Sequence, residues 1–324
     1  MWEDAMTPRL GYLPAIAAAA LFGTAGTAHA QSYPDRVIEL IVPATPGSSA
    51  DILGRVIADG IGAALGQRIV VLNKPGAGGK LGTAEASRAK PDGYTLLHTA
   101  VYALTVQPMT DAQLNYTHKS FEPLCQTFKN DMVVVARPDT YKAVKDVLAA
   151  SKAKPGGLNY GTPGVGTIPY LAVAELTQLT KVEFNHVPFR GPPETIQMTA
   201  AGQIDFAVSP LTAAAGSQLF MPAIFSQVRN PSIPDVPTAI EQGFNVAPLS
   251  IGGLFAPAGI PADVRDKLDK ACAATLKGEA FQRIAKRTLQ PPDFMADAKG
   301  FKANIEKDVA EKQRLLTALG MTKK

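Results

Sequence analysis

Short apolar runs rich in β-branched residues alternate along this chain with stretches whose apolar positions recur every three or four residues, and Gly, Ser and Pro fill the gaps between them. Val37 to Val42 is the first such run, and Pro43-Ala44-Thr45-Pro46-Gly47-Ser48-Ser49-Ala50-Asp51 follows it. Ile52, Leu53, Val56, Ile57, Ile61 and Leu65 then mark a helix. Ile69 to Leu72 reads as a second strand, Pro75-Gly76-Ala77-Gly78-Gly79 as a turn, Leu81 to Ala89 as a helix and Tyr94 to His98 as a third strand. Strands that alternate with helices form a parallel, doubly wound sheet, which makes this an α/β chain.

A second series repeats the pattern. Strands are expected at Met132 to Ala136, Leu158 to Tyr160, Val182 to Val187, Ile204 to Val208 and Ala223 to Val228, with helices at Tyr141 to Lys152, Thr167 to Leu179 and Glu194 to Ala201. Leu249 to Phe255 is expected to carry the chain back to the first unit. The helices beyond it, Ala262 to Leu276 and Lys299 to Leu319, would pack there. A chain of 324 residues has room for two cores. The expected division is 31–131 with 250–324 for domain 1 and 132–249 for domain 2.

Residues 1–30 stand apart, because the alanine-rich run from Leu13 to Gly23 leads to Ala28-His29-Ala30, the small-x-small signature of a signal-peptide cleavage site. Cleavage after Ala30 makes Gln31 the mature N-terminus and places the protein in the periplasm. Glu3 and Asp4 do not suit a basic n-region, so Met6 rather than Met1 is the expected start. Removing Arg9, Glu3 and Asp4 from 32 basic and 28 acidic residues leaves 31 and 26, a net charge of +5. The charges are interspersed rather than blocked, which argues against nucleic acid as a partner and leaves a mild bias toward anionic solutes.

Two cysteines, Cys125 and Cys272, form either one disulfide or two buried thiols. Walker A, Gly-x-Ser-x-Gly, His-Glu-x-x-His and Cys-x-x-Cys sequences are all missing, and His98, His118 and His186 are unclustered. No catalytic residue, metal ligand or cofactor is therefore assigned.

Two loops carry the binding chemistry. The loop from Pro43 to Asp51 and the loop Gly161-Thr162-Pro163-Gly164-Val165-Gly166-Thr167 each join a strand to a helix, in different expected domains. Backbone N–H groups left free at a helix start, at the positive end of its dipole, bind anions, and Ser48 or Ser49 can also cap the helix. Asp51 either complements the dipole or orients a ligand group. Facing loops at the carboxyl ends of parallel strands place a ligand in the cleft between domains, where a dicarboxylate would be held at both ends.

The ordered matches extend over nearly the whole mature chain: Tyr33-Pro34-Asp35-Arg36, the loop ending in Asp51, Asn73 to Gly79, Pro91-Asp92-Gly93-Tyr94-Thr95-Leu96-Leu97, Leu158 to Thr167, His186-Val187-Pro188-Phe189-Arg190-Gly191, Gly202-Gln203-Ile204-Asp205, Pro234-Asp235-Val236-Pro237-Thr238 and Ala256-Pro257-Ala258-Gly259. On them the sequence resembles the Bug family of extracytoplasmic solute receptors, the binding components of tripartite tricarboxylate transporters. The resemblance implies a two-domain, type II periplasmic binding protein fold, each domain a mainly parallel sheet flanked by helices, that closes over a carboxylate-bearing solute. Carried over by position, Ala44, Ser48, Ser49, Ala50 and Asp51 would contribute from the first domain and Gly161, Thr162, Gly164, Val165, Gly166 and Thr167 from the second. Phe189 and Arg190, and Asp205 with Ser209, are placed after strands of the second domain and within reach of the cleft. Tyr102, Tyr170 and Phe189 are the candidates for ring stacking, since the only tryptophan is Trp2.

Family members usually carry an aromatic residue in place of Ala44, Gly in place of Ser48 and Thr or Ser in place of Ala50. The expected consequence is a wider or drier pocket and a solute bulkier than a small amino acid, such as an aromatic mono- or dicarboxylate or a flexible aliphatic diacid. The resemblance implies one large and one small permease subunit of the inner membrane as partners, with a sensor kinase in some systems, and a monomeric receptor. The alternatives are a receptor that serves signalling alone and an exported enzyme with Asp51 or Asp205 as acid or base.

Overall fold

The computed structural model describes residues 1–2 and 33–323, so the signal-peptide reading and its cleavage site rest on residues outside those described. Two five-stranded sheets organise the chain. The first is built from β1 (Ile38–Val42), β2 (Ile69–Asn73), β3 (Thr95–Ala100), β4 (Phe121–Lys129) and, far along the chain, β10 (Ile251–Pro257), in the order β2-β1-β3-β10-β4. The second holds β5 (Met132–Ala136), β6 (Leu158–Thr162), β7 (Phe184–Pro188), β8 (Phe206–Pro210) and β9 (Phe220–Phe225), in the order β7-β6-β8-β5-β9. In each sheet one strand runs against its neighbours: β10 is antiparallel to β3 and β4, and β5 to β8 and β9. These are the strands that bring the chain across from the other sheet, so they enter from the opposite end.

Helices cover both faces, and each face has its own core. α1 (Ser49–Leu65), α8 (Ala262–Lys277) and α9 (Glu279–Arg287) bury Leu53, Ile57, Ile61, Leu268 and Phe281 against Leu40, Val42 and Leu254 of the first sheet. On its other face lie α2 (Lys80–Ser87) and α3 (Tyr102–Thr110). The second sheet packs α4 (Val144–Ala153) and α5 (Ile168–Thr180) on one face and α6 (Pro192–Ala200) and α7 (Leu211–Ala214) on the other. Cys125 on β4 and Cys272 on α8 are joined as a disulfide with Cα atoms 6.5 Å apart, which resolves the two alternatives for these cysteines.

Two elements escape the sequence pattern. β4 contains Pro123, Gln126 and Thr127, and it tolerates them because it is an edge strand paired with β10 alone. α3 is buried from Ala103 to Pro108 and so lacks the polar stripe that gives a surface helix its period. The last helix, α10 (Ala298–Ala318), departs from the expectation that it packs on the first unit. Its stripe is longer than that core: Phe301 and Ile305 pack there, while Leu315, Leu316 and Leu319 reach the core of the second sheet.

Candidate functional site

The carboxyl ends of β1, β3, β6, β7 and β8 meet at one cavity between the two sheets. It is a narrow slot with a volume of about 90 Å³. Thr45, Ser48, Ser49, Ala50, Gly78, Thr99 and Tyr102 line it from the first sheet's side, and Thr167, Ile168, Pro169, Arg190, Gly191 and Pro210 from the second's. Phe128, Asn130, Met132 and Ser250 form the remaining wall, where the chain passes between the sheets.

Two helices begin at this slot with donors to spare. Ser48 is the N-cap of α1, and its hydroxyl accepts from Asp51 N–H at 3.4 Å, while Thr167 is the N-cap of α5 but turns its hydroxyl to donate to the Gly164 carbonyl at 2.7 Å. The N–H groups of Ser49, Ala50, Ile168 and Tyr170 find no partner in the described chain. Pro192 and Pro193 open α6 at the same place, so its first two residues bring the dipole without N–H donors of their own. Thr45 Oγ1, Ser49 Oγ and Asn130 Oδ1, all on lining residues, are buried without a hydrogen-bond partner among the described residues. Arg190 is the only charged lining residue, and its guanidinium has no ion-pair partner among the described residues. Opposed positive dipole ends, free N–H groups and one unpaired cation give this slot an affinity for anions.

The loop after β1 is fixed from behind. Asp51 accepts from Gly47 N–H at 2.9 Å and from Asn73 Nδ2 at 2.9 Å, and Arg55 binds the same carboxylate at 2.9 Å. Burial works against its ionisation, but these hydrogen bonds prevail and hold the carboxyl below its usual range. Asn73 also donates to the Ala44 carbonyl at 3.1 Å. Beneath the first turn of α1, the wholly buried His98 places Nδ1 2.9 Å from the Ala50 carbonyl and Nε2 2.7 Å from Thr127 Oγ1. A carbonyl only accepts, so Nδ1 carries the proton and Nε2 accepts from the threonine. Burial keeps this imidazole neutral, with its pKa pushed down to about 4.

The loop after β6 is organised by Thr162. Its hydroxyl accepts from Gly164 N–H at 3.2 Å and lies 2.7 Å from His186 Nε2, while the His186 ring rests against Tyr160 and Tyr170. Tyr102, at the start of α3, donates to the Gly78 carbonyl at 3.2 Å, and burial pushes its hydroxyl up to about 12.

Of the residues expected at a site, the fold therefore gathers Ala44, Ser48, Ser49, Ala50, Tyr102, Thr167 and Arg190 around one slot. Gly164, Val165 and Phe189 stand outside it, in an outer vestibule shared with Gly76, Lys80 and Arg190. Gly161 and Thr162 end β6 behind the loop, and Gly166 sits over Gln107 of α3. Asp51 faces its own loop rather than the slot. Asp205 precedes β8 rather than following a strand, at the end remote from the lining residue Pro210, and its carboxylate is taken by Lys154 at 2.6 Å and by Asn159 N–H at 2.7 Å. Ser209 shares a face of β8 with Ala207, in the core behind the slot. Tyr170 packs with the second core. Thr99, Phe128, Asn130, Met132 and Ser250 are lining residues that the sequence reading passes over, and Thr45 belongs to the first binding loop without having been singled out within it.

A sequence model of the tripartite tricarboxylate transporter family receptor, TctC, matches residues 53–321. A protein described as "UPF0065 protein in gbd 5'region" from Cupriavidus necator is 31% identical, with 97% of each chain covered. Protein BugT of Bordetella pertussis is 32% identical over 68% of this chain and 70% of its own. The solved structure of periplasmic binding protein BugD superposes with a TM-score of 0.81 at 27% identity, covering 90% of this chain and all of that one.

Proposed function

Because the chain belongs to the tripartite tricarboxylate transporter receptor family, we propose that it is a periplasmic receptor that takes a carboxylate-bearing small molecule into the slot between its sheets and delivers it to the large and small permease subunits of the inner membrane. The observation that carries the carboxylate reading is the pairing of the α1 and α5 starts across a slot whose one charged lining residue is Arg190, with no Asp or Glu among the lining residues. A solute with an ammonium group would find no counter-charge there, which disfavours amino acids. Ser49 and Ala50 on one side and Ile168 and Tyr170 on the other are the donors assigned to the carboxylate, with Arg190 as its counter-ion at the mouth. Phe128, Met132, Ile168, Pro169 and Pro210 offer an apolar wall for the body of the solute, which supports an aromatic or extended aliphatic acid. The domains assigned to the clamp are 31–131 with 250–324 and 132–249.

A thermal-shift panel of succinate, adipate, benzoate, terephthalate, glutamate and lysine tests the reading on the mature protein and on Arg190→Ala. Ligand at 100 times its Kd adds about 2.7 kcal/mol of stability, so binding is read as a clear rise in Tm. One class of carboxylate is expected to stabilise the wild type, less so the variant, with the unliganded Tm unchanged between them. Stabilisation by lysine alone, or by no carboxylate at all, would overturn the assignment.

A further inference from the structure

Thr45 and Gly191 meet across the slot. Thr45 belongs to the loop after β1 of the first sheet, Gly191 is the N-cap of α6 on the second, and both line the cavity. A Cβ placed on Gly191 would overlap Thr45 Oγ1 and come within 3.1 Å of its Cγ2 and 3.3 Å of its Cβ. The Gly191 backbone is fully extended, with φ −179° and ψ 174°, a conformation open to any residue. Glycine is therefore not required at 191 by the local chain. What excludes a side chain is the threonine arriving from the opposite sheet, whose own hydroxyl is buried there with no hydrogen bond to any described residue. A second approach of the same kind lies nearby, where a Cβ on Gly78 would stand 3.4 Å from Thr167 Cγ2.

We propose that Thr45 and Gly191 form the closing contact of the cleft, and that the missing side chain at 191 sets how narrow the slot becomes and hence which size of carboxylate it retains. This rests on the carboxylate-receptor reading for the ligand, but the contact itself does not. A methyl group at 191 holds the sheets apart by the overlap it creates. Closure then loses contacts on every side of a short ligand and fewer around a longer one, so retention shifts toward size. Overpacking of this degree weakens a closed complex by roughly tenfold. Shortening Thr45 vacates the space and restores it.

The test is a double-mutant cycle of Gly191→Ala, Thr45→Ala and both together, with two readouts. The first is the distance between spin labels on Leu81→Cys, which packs beside the lining residue Gly76, and Val165→Cys, in the outer vestibule on the second sheet's side, both exposed, with and without succinate or adipate. The native cysteines are engaged in their disulfide and leave these two as the labelling sites. The second is the affinity for succinate and adipate by calorimetry. Gly191→Ala is expected to lengthen the closed distance and to weaken succinate about tenfold and adipate less, while the double variant returns to the wild-type distance and affinity. A distance unchanged in Gly191→Ala, a double variant that does not recover, or a wild type with no short distance under any condition would each refute the closing contact. If the distances follow the cycle but neither acid binds any variant, the contact stands and the choice of ligand is what fails.

Discussion

His98 makes the stability of this protein depend on pH in a way that its environment predicts. The imidazole is wholly buried, donates from Nδ1 to the Ala50 carbonyl and accepts at Nε2 from Thr127, and its pKa falls from 6.5 to about 4. The unfolded chain takes up this proton near pH 6.5, and the folded chain holds it off until about 4. Between those values the unfolded state binds more protons, so the contribution is complete above pH 6.5, falls as the pH drops and is lost by about pH 4. At 1.36 kcal/mol per pH unit, the interval amounts to about 3 kcal/mol. Urea denaturation of the wild type and of His98→Gln at pH 7, 6, 5 and 4 isolates it, because His118 and His186, also lowered by burial, are common to both proteins. The variant should be less stable at pH 7 by about 1–3 kcal/mol, the cost of disturbing two buried hydrogen bonds. Its stability should then fall by about 3 kcal/mol less than that of the wild type on the way to pH 4. Parallel pH profiles for the two proteins would refute the buried neutral imidazole, and with it the support it gives to the first turn of α1.

The disulfide between Cys125 and Cys272 closes a loop across 147 positions of sequence, so reduction, or Cys125→Ala with Cys272→Ala, should cost about 2–5 kcal/mol in denaturant titrations with and without reductant. Lys312 of α10 is fully buried 3.4 Å from Asp308, which also accepts from Thr105 at 2.8 Å, so Lys312→Met should lose about 3–5 kcal/mol by leaving a buried carboxylate unpaired. Adding Asp308→Asn to Lys312→Met should recover most of that loss in the same titration. Gly54→Ala sets two effects against each other: helix propensity favours alanine by about 1 kcal/mol, but its Cβ would come 3.0 Å from His98 Nδ1 and 3.3 Å from Val42 Cγ2. The buried ring has nowhere to go, so the variant should be less stable than wild type, by about 1–3 kcal/mol in thermal denaturation.

What the sequence made legible was whatever is encoded locally. The glycine and serine loops after β1 and β6 stand out because each interrupts a β-branched run and precedes a helical period, and both prove to open onto the slot through Ser48, Ser49, Ala50 and Thr167. Residues that reach the slot from the crossing segments carry no such signal. Asn130 and Ser250 are brought side by side by the hydrogen bond from Asn130 N–H to the Ser250 carbonyl, 120 positions apart, and nothing in either neighbourhood announces a site. Asp205 misleads for the complementary reason. An acid beside a predicted strand invites a functional reading, but a strand has two ends, and a start at Phe206 puts this carboxylate at the one away from the slot. Gly191 is the sharpest case. In Arg190-Gly191-Pro192 it passes for an ordinary turn glycine, yet its φ is one that any residue adopts. The reason for it is Thr45, 146 positions earlier and on the other side of the cleft, so it becomes visible only when the two sheets are seen together. Residues that act on the closed form are constrained by the partner they meet on closing, and a chain read one segment at a time carries no record of that meeting.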